Sequence, residues 1–376
     1  MVNNEVWNNI VMKKLELTGE VIANNRIWRS AAWLGMANPD GSVSDKLIDA
    51  YSKLKAGLVL TGFQYITPEG KFLPSQISNS KREDIEGLKR LADAIHSTGS
   101  LAGAQLVHCG AISNPEWWGG EYAYGPSDAE VPLPTGTTNK AKAMTIEQIE
   151  QITEAYGEAA KRAADAGFDA VEIHGAHHFQ LWQFFDPLYN KRPADDPYTG
   201  TTFEGRSKAM VDAITAVKKT VNIPILVKVD SSSQAVNPEE VGKLVKKLVP
   251  AGANLITFSG PNPSQNHNEV GEAYFLENVK TIIKIAGDTK VLYGLVGGIR
   301  SPEMIVKLLS GEEGNGTKFD IVQLARPLMS EPALINRWNE EAESNKLTPA
   351  RCVSCNGCFG VALSGNGAEC TKFKGQ

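Results

Sequence analysis

The sequence predicts a (β/α)₈ barrel, in which eight parallel strands close into a ring and a helix follows each strand. Eight short apolar runs alternate with longer amphipathic segments along the 376 residues, and this alternation is typical of parallel strands joined by crossover helices. The first run, RIWRSAA, lacks the GxGxxG turn of a doubly wound nucleotide-binding sheet. No linker rich in Pro, Gly or Ser divides the repeating part, which favours one large domain.

The strand candidates are rich in β-branched and aliphatic residues. In chain order they begin at residues 26, 57, 101, 170, 224, 254, 291 and 320, and they read RIWRSAA, GLVLTGF, LAGAQLV, AVEIHG, PILVKVD, NLITFSG, VLYGLVGG and DIVQLAR. Three intervening segments, at 81–99, 145–167 and 237–252, carry apolar residues at helical spacing and end near a Gly that suits a helix C-cap.

Two insertions interrupt this repeat, at 109–143 and 175–203. Both are rich in aromatic residues, Gly and Pro. They follow the third and fourth strands, so we expect them to overhang the open end of the barrel, where active sites lie. The prediction therefore assigns residues 1–345 to the barrel and residues 346–376 to a Cys-rich C-terminal tail that packs on the barrel or extends from it.

Composition and charge predict a globular protein that acts on small molecules. Hydrophobic residues make up 42% of the chain, and 38 Lys and Arg against 43 Asp and Glu give a net charge of -5. Without basic blocks we expect no nucleic-acid partner, and without an apolar run of about 18 residues we expect no membrane partner. The N-terminus lacks a secretory signal pattern, so we expect a cytoplasmic protein. The sequence leaves the oligomeric state open.

Polar residues cluster where the predicted strands end, and these ends meet at one face of a barrel. Gln105 and Lys228 supply an amide and a cation, while VGGIRSP and LARP supply a glycine turn and Arg326. A phosphate site after the last two strands is a recurring feature of such barrels. An amide, a cation and a phosphate grip together indicate FMN.

Six segments carry a family resemblance. NNRIWRSA, QLVHCG, GFDAVEIHGAHHFQLWQFFDPLYNKR, PILVKVD, VGGIRSPE and VQLARPLMSEP, in that order, resemble the Old Yellow Enzyme family of FMN-dependent NADH:flavin oxidoreductases and ene-reductases. The resemblance covers most of residues 22–340. It implies an oxidoreductase in which NAD(P)H reduces non-covalent FMN, which then passes hydride to a small-molecule electron acceptor: an activated alkene, a quinone, a nitro compound or oxygen.

The resemblance also implies roles for individual residues. His174 and His177 would be the catalytic pair that grips the acceptor oxygen, and Lys228 would stand beside N1 and O2 of the flavin. The residues implied in FMN binding are Ala31, Ala32, Gly62, Gln105, Lys228, Gly297, Gly298, Ala325 and Arg326. The residues implied in the substrate pocket are Trp33, Phe179, Tyr122 and Tyr124.

One departure bears on catalysis. The family motif HGAHGY ends in a tyrosine that protonates the substrate carbon, whereas this chain reads HGAHHF and has Phe179 there. Losing such an acid removes a contribution of about 10² to 10⁴ in rate. Either His178, Tyr122, Tyr124 or water replaces the phenol, or the acceptor needs no carbon protonation. A flavin-binding barrel with little ene-reductase activity is the alternative. Ala325 and Lys228 also replace the usual glycine and arginine.

The tail contains four cysteines with the spacing C-x₂-C-x₂-C-x₁₁-C, namely Cys352, Cys355, Cys358 and Cys370. Four thiolates at such spacing can hold a [4Fe–4S] cluster or zinc, and free thiols are the alternative. The tail resembles the segment after the barrel in two-domain dienoyl-CoA-reductase-like flavoproteins, where a cluster relays electrons from an FAD domain. The sequence shows no FAD domain, so we expect a single-domain member without such a relay.

Two other enzyme classes stay open at this stage. A metal-dependent barrel hydrolase would use His174, His177 and either Glu172 or Asp230, although RIWRSAA lacks the H-x-H of many such sites. An aldolase-type barrel would form a Schiff base at Lys228, which leaves Gln105 and the histidine pair without a role.

Overall fold

The structure is a computed structural model that describes residues 2–133, 137–261, 267–313 and 316–373. Within these residues eight parallel strands form a closed ring, which confirms the predicted barrel. The strands, named β1 to β8 in chain order, are Ile27–Arg29, Leu58–Leu60, Leu101–Val107, Ala170–Gly175, Ile225–Asp230, Leu255–Ser259, Leu292–Val296 and Ile321–Leu324. Each strand pairs with the next, and β8 pairs with β1 to close the ring.

The principal helices, named α1 to α8, lie between these strands and after the last one. They are Asp45–Tyr51, Asp84–His96, Ile146–Asp165, Phe203–Thr220, Pro238–Ala251, Leu276–Ala286, Pro302–Ser310 and Leu334–Glu343. Side-chain caps account for several starts. Thr145 forms a capping box with Gln148 before α3, and Asn237 and Ser301 cap α5 and α7. In the described part of the chain, no helix has both the length and the apolar character needed to cross a membrane.

The remaining elements are short. The short helices and turns are Asn4–Val6, Trp7–Val11, Pro68–Gly70, Gly110–Ile112, Pro115–Trp117, Gln180–Phe185, His267–Val270, Arg326–Ser330 and Gly357–Leu363. The short strands are Leu15–Thr18, Val21–Ala23, Gln64–Tyr65, Ala123–Gly125, Ala129–Pro132 and Thr138–Ala143. The last three form a small sheet inside the 109–143 insertion.

The two ends of the barrel differ in polarity. At the N-terminal end, Leu15, Leu17 and Ala23 of the Leu15–Thr18/Val21–Ala23 hairpin join a cluster of buried apolar residues from the strands. Toward the C-terminal end, buried polar side chains contact one another between strands that are not neighbours, as Gln323 of β8 does with Thr257 of β6. Such contacts can form only through the barrel interior. The fold therefore closes its apolar end and leaves its polar end for a site.

Candidate active site

A cavity of about 300 Å³ lies at the C-terminal ends of the strands, within the usual size range of ligand sites. Ten of the predicted residues line it: Ala31, Ala32, Trp33, Gln105, His174, His177, Phe179, Lys228, Ala325 and Arg326. A smaller cavity of about 50 Å³ shares Ala325 and Arg326 with it and is lined by Gly297 and Gly298. The two cavities are therefore adjacent parts of one trough.

The turn after β7 needs glycine for steric reasons. Gly297 and Gly298 have φ values of 135° and 67°, a region that costs residues with a Cβ. A Cβ on Gly298 would lie 2.6 Å from a ring carbon of Tyr274, and one on Gly297 would lie 2.8 Å from Phe275. The rings of Tyr274 and Phe275 therefore pack against this turn, whose backbone lines the narrow space of the smaller cavity together with Arg326. A phosphate fits that space, because main-chain N–H groups and a guanidinium are the donors that bind phosphate.

The floor of the larger cavity is a buried polar network centred on Glu172. Its carboxylate accepts a hydrogen bond of 2.5 Å from Gln105 Nε2 and lies 3.3 Å from Lys228 Nζ. Lys228 also donates to Ser30 Oγ at 3.0 Å. Burial lowers the pKa of Lys228, while the charge of Glu172 opposes that shift. The network fixes an amide and a cation side by side, and sequence reasoning did not assign Glu172 or Ser30 to it.

The catalytic pair predicted from the sequence is brought together. The rings of His174 and His177 are 5.0 Å apart at an angle of 81°. Burial lowers the pKa of His177 to about 3 and that of His174 well below its ordinary value, and Lys228 adds to both shifts. His174 Nδ1 is buried without a hydrogen-bond partner among the described residues. Both imidazoles are therefore neutral donors near pH 7, suited to gripping an oxygen.

A strained turn presents His177. His177 and His178 are consecutive residues with positive φ values of 56° and 58°, which is uncommon outside glycine and concentrates at functional sites. The Asp230 carboxylate accepts the His177 N–H at 2.8 Å. His177 Nε2 lies 2.8 Å from Ser259 Oγ. The ends of β5 and β6 thus hold both the backbone and the ring of His177.

Three of the predicted site residues, and the alternative acid His178, do not line either cavity. Gly62 packs instead beneath the strand-one backbone, where a Cβ would lie 2.9 Å from Ala32 O. Tyr124 stacks near Trp118 around a separate cavity, and Tyr122 lies under Lys142. His178 turns toward Tyr189, with ring centroids 5.6 Å apart. Neither of these two tyrosines nor His178 therefore lies where it could replace the phenol that Phe179 lacks.

The wall expected from the 109–143 insertion comes instead from the C-terminal tail. No described residue of that insertion lines the larger cavity, whereas Asn356, Cys358, Phe359 and Ala368 do. The Phe359 ring packs edge-on against Trp33 at 5.8 Å. Ala368 N–H donates to Leu34 O, which ties the tail to the loop after β1. The short apolar GCFGVAL helix contained no sequence signal for this role.

The four tail cysteines line one small cavity of about 20 Å³. Among the described residues, however, no group of three or more His, Cys, Asp or Glu is arranged to hold a metal ion. The predicted cluster or zinc is therefore not supported. The same finding removes support from a hydrolase metal centre at His174, His177 and Asp230. The fifth cysteine, Cys109, lies outside the tail and is buried in the core.

The residues present fit FMN. The Gln105 amide and the Lys228 cation match the polar edge of a flavin ring, and both side chains line the larger cavity together with His174 and His177. The glycine turn and Arg326 match a phosphate at the far end of the same trough. An aldolase lysine would need a free amine, whereas Lys228 is held by Glu172 and Ser30.

Comparison of the sequence with known proteins agrees with this geometry. The profile of the NADH:flavin oxidoreductase / NADH oxidase family matches residues 18–345. An NADH oxidase of Thermoanaerobacter brockii is 30% identical over 363 residues, which cover 91% of this chain and 52% of that protein. The chain spans about half the length of the curated relatives that it matches first.

Solved structures share the fold. A 2-naphthoyl-CoA reductase complex superposes with a TM-score of 0.84 at 22% identity, covering 97% of this chain and 56% of that one. An old yellow enzyme homologue from Zymomonas mobilis superposes with a TM-score of 0.73 at 21% identity, covering 90% of this chain and 94% of that one. At these identities the likeness establishes the barrel alone.

Proposed function

This chain belongs to the NADH:flavin oxidoreductase / NADH oxidase family, which includes the Old Yellow Enzymes, and we propose that it is an FMN-dependent NAD(P)H oxidoreductase. The observation that carries the proposal is the single trough with Gln105 and Lys228 at one end and the glycine turn with Arg326 at the other. When bound, FMN accepts hydride from NAD(P)H and passes it to an acceptor.

The residues of this chain would hold the cofactor by charge and hydrogen bonding. Gln105 would bind the pyrimidine edge, and Lys228 would supply positive charge beside it. The N–H groups of the Gly297–Gly298 turn and the Arg326 guanidinium would hold the phosphate. Trp33 would fill the volume next to the ring, where it is 8% exposed and already packed against Phe359.

His174 and His177 would bind the acceptor through its oxygen. Two neutral imidazoles that donate to one oxygen polarise a carbonyl, nitro group or quinone without placing a fixed charge in the cavity. Both rings line the cavity beside Phe179, whose ring centre is 4.7 Å from that of His174. The acceptor class that fits is therefore a planar molecule that carries an oxygen acceptor and an apolar face.

We also propose that residues 346–376 act as an extension of the 1–345 barrel that closes the flavin cavity. Asn356 accepts a hydrogen bond of 2.7 Å from Arg326, the same side chain that would bind the phosphate. Phe359 covers Trp33 from the other side. The tail would then contribute to flavin retention.

The test is the cofactor content of the purified protein. We expect a yellow protein that releases FMN rather than FAD on denaturation, and whose flavin bleaches on anaerobic addition of NAD(P)H. A colourless protein that takes up no added FMN would refute the proposal. Colour without bleaching by NADH or NADPH would leave a flavin-binding barrel without this activity.

A pair of glutamine variants sharpens this test. Gln105→Leu removes a buried donor, and we expect FMN to bind roughly five- to tenfold more weakly, because a hydrogen bond contributes about 1 kcal/mol. Gln151→Leu changes an exposed glutamine on α3 and serves as the control. Equal FMN affinities of the two variants, measured by quenching of flavin fluorescence, would exclude Gln105 from the site.

A further inference from the structure

A buried carboxyl group lies directly behind His177. Asp230 ends β5 and is fully buried. One of its oxygens, Oδ2, accepts the His177 N–H at 2.8 Å. The other, Oδ1, is 3.8 Å from His177 Nε2 and makes no hydrogen bond with any described residue. A buried carboxyl oxygen without a hydrogen-bond partner is costly unless it carries a proton.

The surroundings of Asp230 favour its protonated form. Burial raises the pKa of Asp230 to about 8; the charge of Asp186 contributes to the rise, while the His177 N–H and Lys228 oppose it. Asp186 follows the helix Gln180–Phe185 and is itself buried, with Oδ2 lacking a hydrogen-bond partner in the described chain. The other ionisable groups near His177 are His174, whose ring centre is 5.0 Å from that of His177, and His178. Asp230 therefore holds its proton over most of the neutral range.

Among the described residues, none of the side chains suggested from the sequence as the acid lines the cavity. Phe179 stands where relatives place a phenol, and the described positions of Tyr122, Tyr124 and His178 are off the cavity lining. His177 does line the cavity, but it is neutral and gives up a proton readily only if another group replaces that proton. Asp230 is the buried carboxyl group beside it. Its Oδ1 is 3.8 Å from His177 Nε2, and Ser259 Oγ lies 2.8 Å from the same nitrogen, so the transfer requires the Nε2–Oδ1 distance to shorten when the acceptor binds.

We propose that Asp230 and His177 form a proton relay that protonates the oxygen of the bound acceptor, an inference that rests on the proposed function. His177 donates its Nδ1 proton to the acceptor oxygen while Nε2 receives the proton of Asp230 Oδ1. His177 is left neutral with its proton on Nε2, beside the Asp230 carboxylate. After the product leaves, Nδ1 takes a proton from water and Nε2 returns its proton to Asp230, which restores the starting state.

The products balance for an enone and for a quinone. An enone that takes hydride on its β-carbon and a proton on oxygen becomes an enol, which is released and converts to the ketone in water. A quinone takes its proton on oxygen in the same way. This route needs no acid over the α-carbon, which accounts for Phe179.

The first test is the stereochemistry of an enone substituted at its α-carbon, reduced by the holoenzyme. Because the enol would take its α-proton from solvent, we expect a racemic centre at that carbon in the wild type. Phe179→Tyr would place a phenol over that carbon, and we expect it to introduce selectivity. Early product from the wild type with a single configuration would show protonation on carbon by a side chain and would overturn the relay.

The second test is the pH dependence of the oxidative half-reaction, followed by stopped flow. In the wild type we expect the rate with an enone to fall as pH rises through about 8, as Asp230 loses its proton. Asp230→Asn keeps an oxygen to accept the His177 N–H, so it should lower the rate by about 10²-fold and remove this dependence. Asp186→Asn removes a nearby negative charge and should move the fall to lower pH.

Asp230→Asn with Phe179→Tyr separates a chemical role from a structural one. If Asp230 supplies the proton, the added phenol should restore enone reduction while quinone reduction stays slow. A merely structural role would leave both reactions slow. Unchanged rate and pH dependence in an FMN-loaded Asp230→Asn protein would refute the relay.

A third measurement is independent of turnover. Carbon-13 NMR of aspartate carboxyl groups in the FMN-free protein, assigned by comparison with Asp230→Asn, should show one carboxyl that stays protonated at pH 6. If Asp230 is ionised at that pH, the relay is excluded whatever the turnover rates of the variants. The proposed function fails separately, through absence of FMN uptake.

Discussion

The buried pair Glu172–Lys228 offers a direct test of how the site is built. Replacing Glu172 with Gln keeps the volume of the side chain and an oxygen that can accept from Gln105, but it removes the charge that faces Lys228 at 3.3 Å. Both side chains are at most 2% exposed. Water therefore cannot compensate for the lost partner, and the lysine is left as an unpaired buried charge.

The structure sets the size of the effect. At 3.3 Å two unit charges attract by about 5 kcal/mol with an effective dielectric constant of about 20. Removing one partner of a buried pair commonly costs about 3 to 5 kcal/mol. We therefore expect Glu172→Gln to lower the free energy of unfolding by that amount at pH 7, a large share of the roughly 5 to 15 kcal/mol of a typical protein.

The assay is urea unfolding of the FMN-free protein, with two comparison variants. Asp165→Asn breaks the exposed pair with Lys161, which is 2.8 Å long, and should cost less than about 1 kcal/mol. Glu172→Gln combined with Lys228→Met removes both charges and should recover most of the loss, because buried pairs replaced by apolar groups are often neutral.

The pH dependence of Glu172→Gln gives a further check. Without Glu172, burial lowers the pKa of Lys228 further. The unfolded chain then binds more protons than the folded one at pH values between that lowered pKa and the ordinary lysine pKa of about 10.4. Stability then rises with pH, and the deficit of the variant should be smaller at pH 9 than at pH 7. A loss below 1 kcal/mol, or a double variant as unstable as the single one, would refute the reasoning.

Three further predictions concern the trough and its tail. Gly298→Ala should weaken FMN binding and lower the free energy of unfolding in urea by about 1 to 3 kcal/mol, because the new Cβ would lie 2.6 Å from the Tyr274 ring. Gly287→Ala is the control: Gly287 has a similar φ of 72° but no atom close to its Cβ position, so this variant measures the backbone strain alone. Phe359→Ala should speed FMN release by about two- to tenfold, because the contact with Trp33 is lost. The release rate is measured by flavin fluorescence after dilution, and a rate equal to that of the wild type would contradict this prediction. Cys355 is exposed, and its pKa is lowered chiefly by the Gly357 N–H, whereas Cys109 is buried and burial raises its pKa. Iodoacetamide should therefore modify Cys355 before Cys109. Peptide mass mapping that finds the reverse order would contradict this prediction.

The sequence by itself determined the barrel and most of the residues that would surround the flavin ring. Strand and helix periodicities are local properties of the sequence, and a chain with eight strand–helix repeats commonly folds into a closed (β/α)₈ barrel. The sequence places Gln105, Lys228 and the histidine pair at the ends of predicted strands. Because those ends meet at one face of a barrel, their place in one site could be predicted. Gly297 and Gly298 were readable because a turn with positive φ at both residues requires glycine.

Only the tertiary structure decided which side chains complete and enclose the site. Glu172 and Asp230 owe their roles to neighbours on other strands, and their distances to Lys228 and His177 depend on barrel closure. Phe359 forms part of the cavity wall because the tail folds back onto the loop after β1, whereas Tyr122 and Tyr124 follow the small sheet away from the cavity. These outcomes depend on packing between residues far apart in the chain, and packing has no local periodicity from which a sequence pattern could be read.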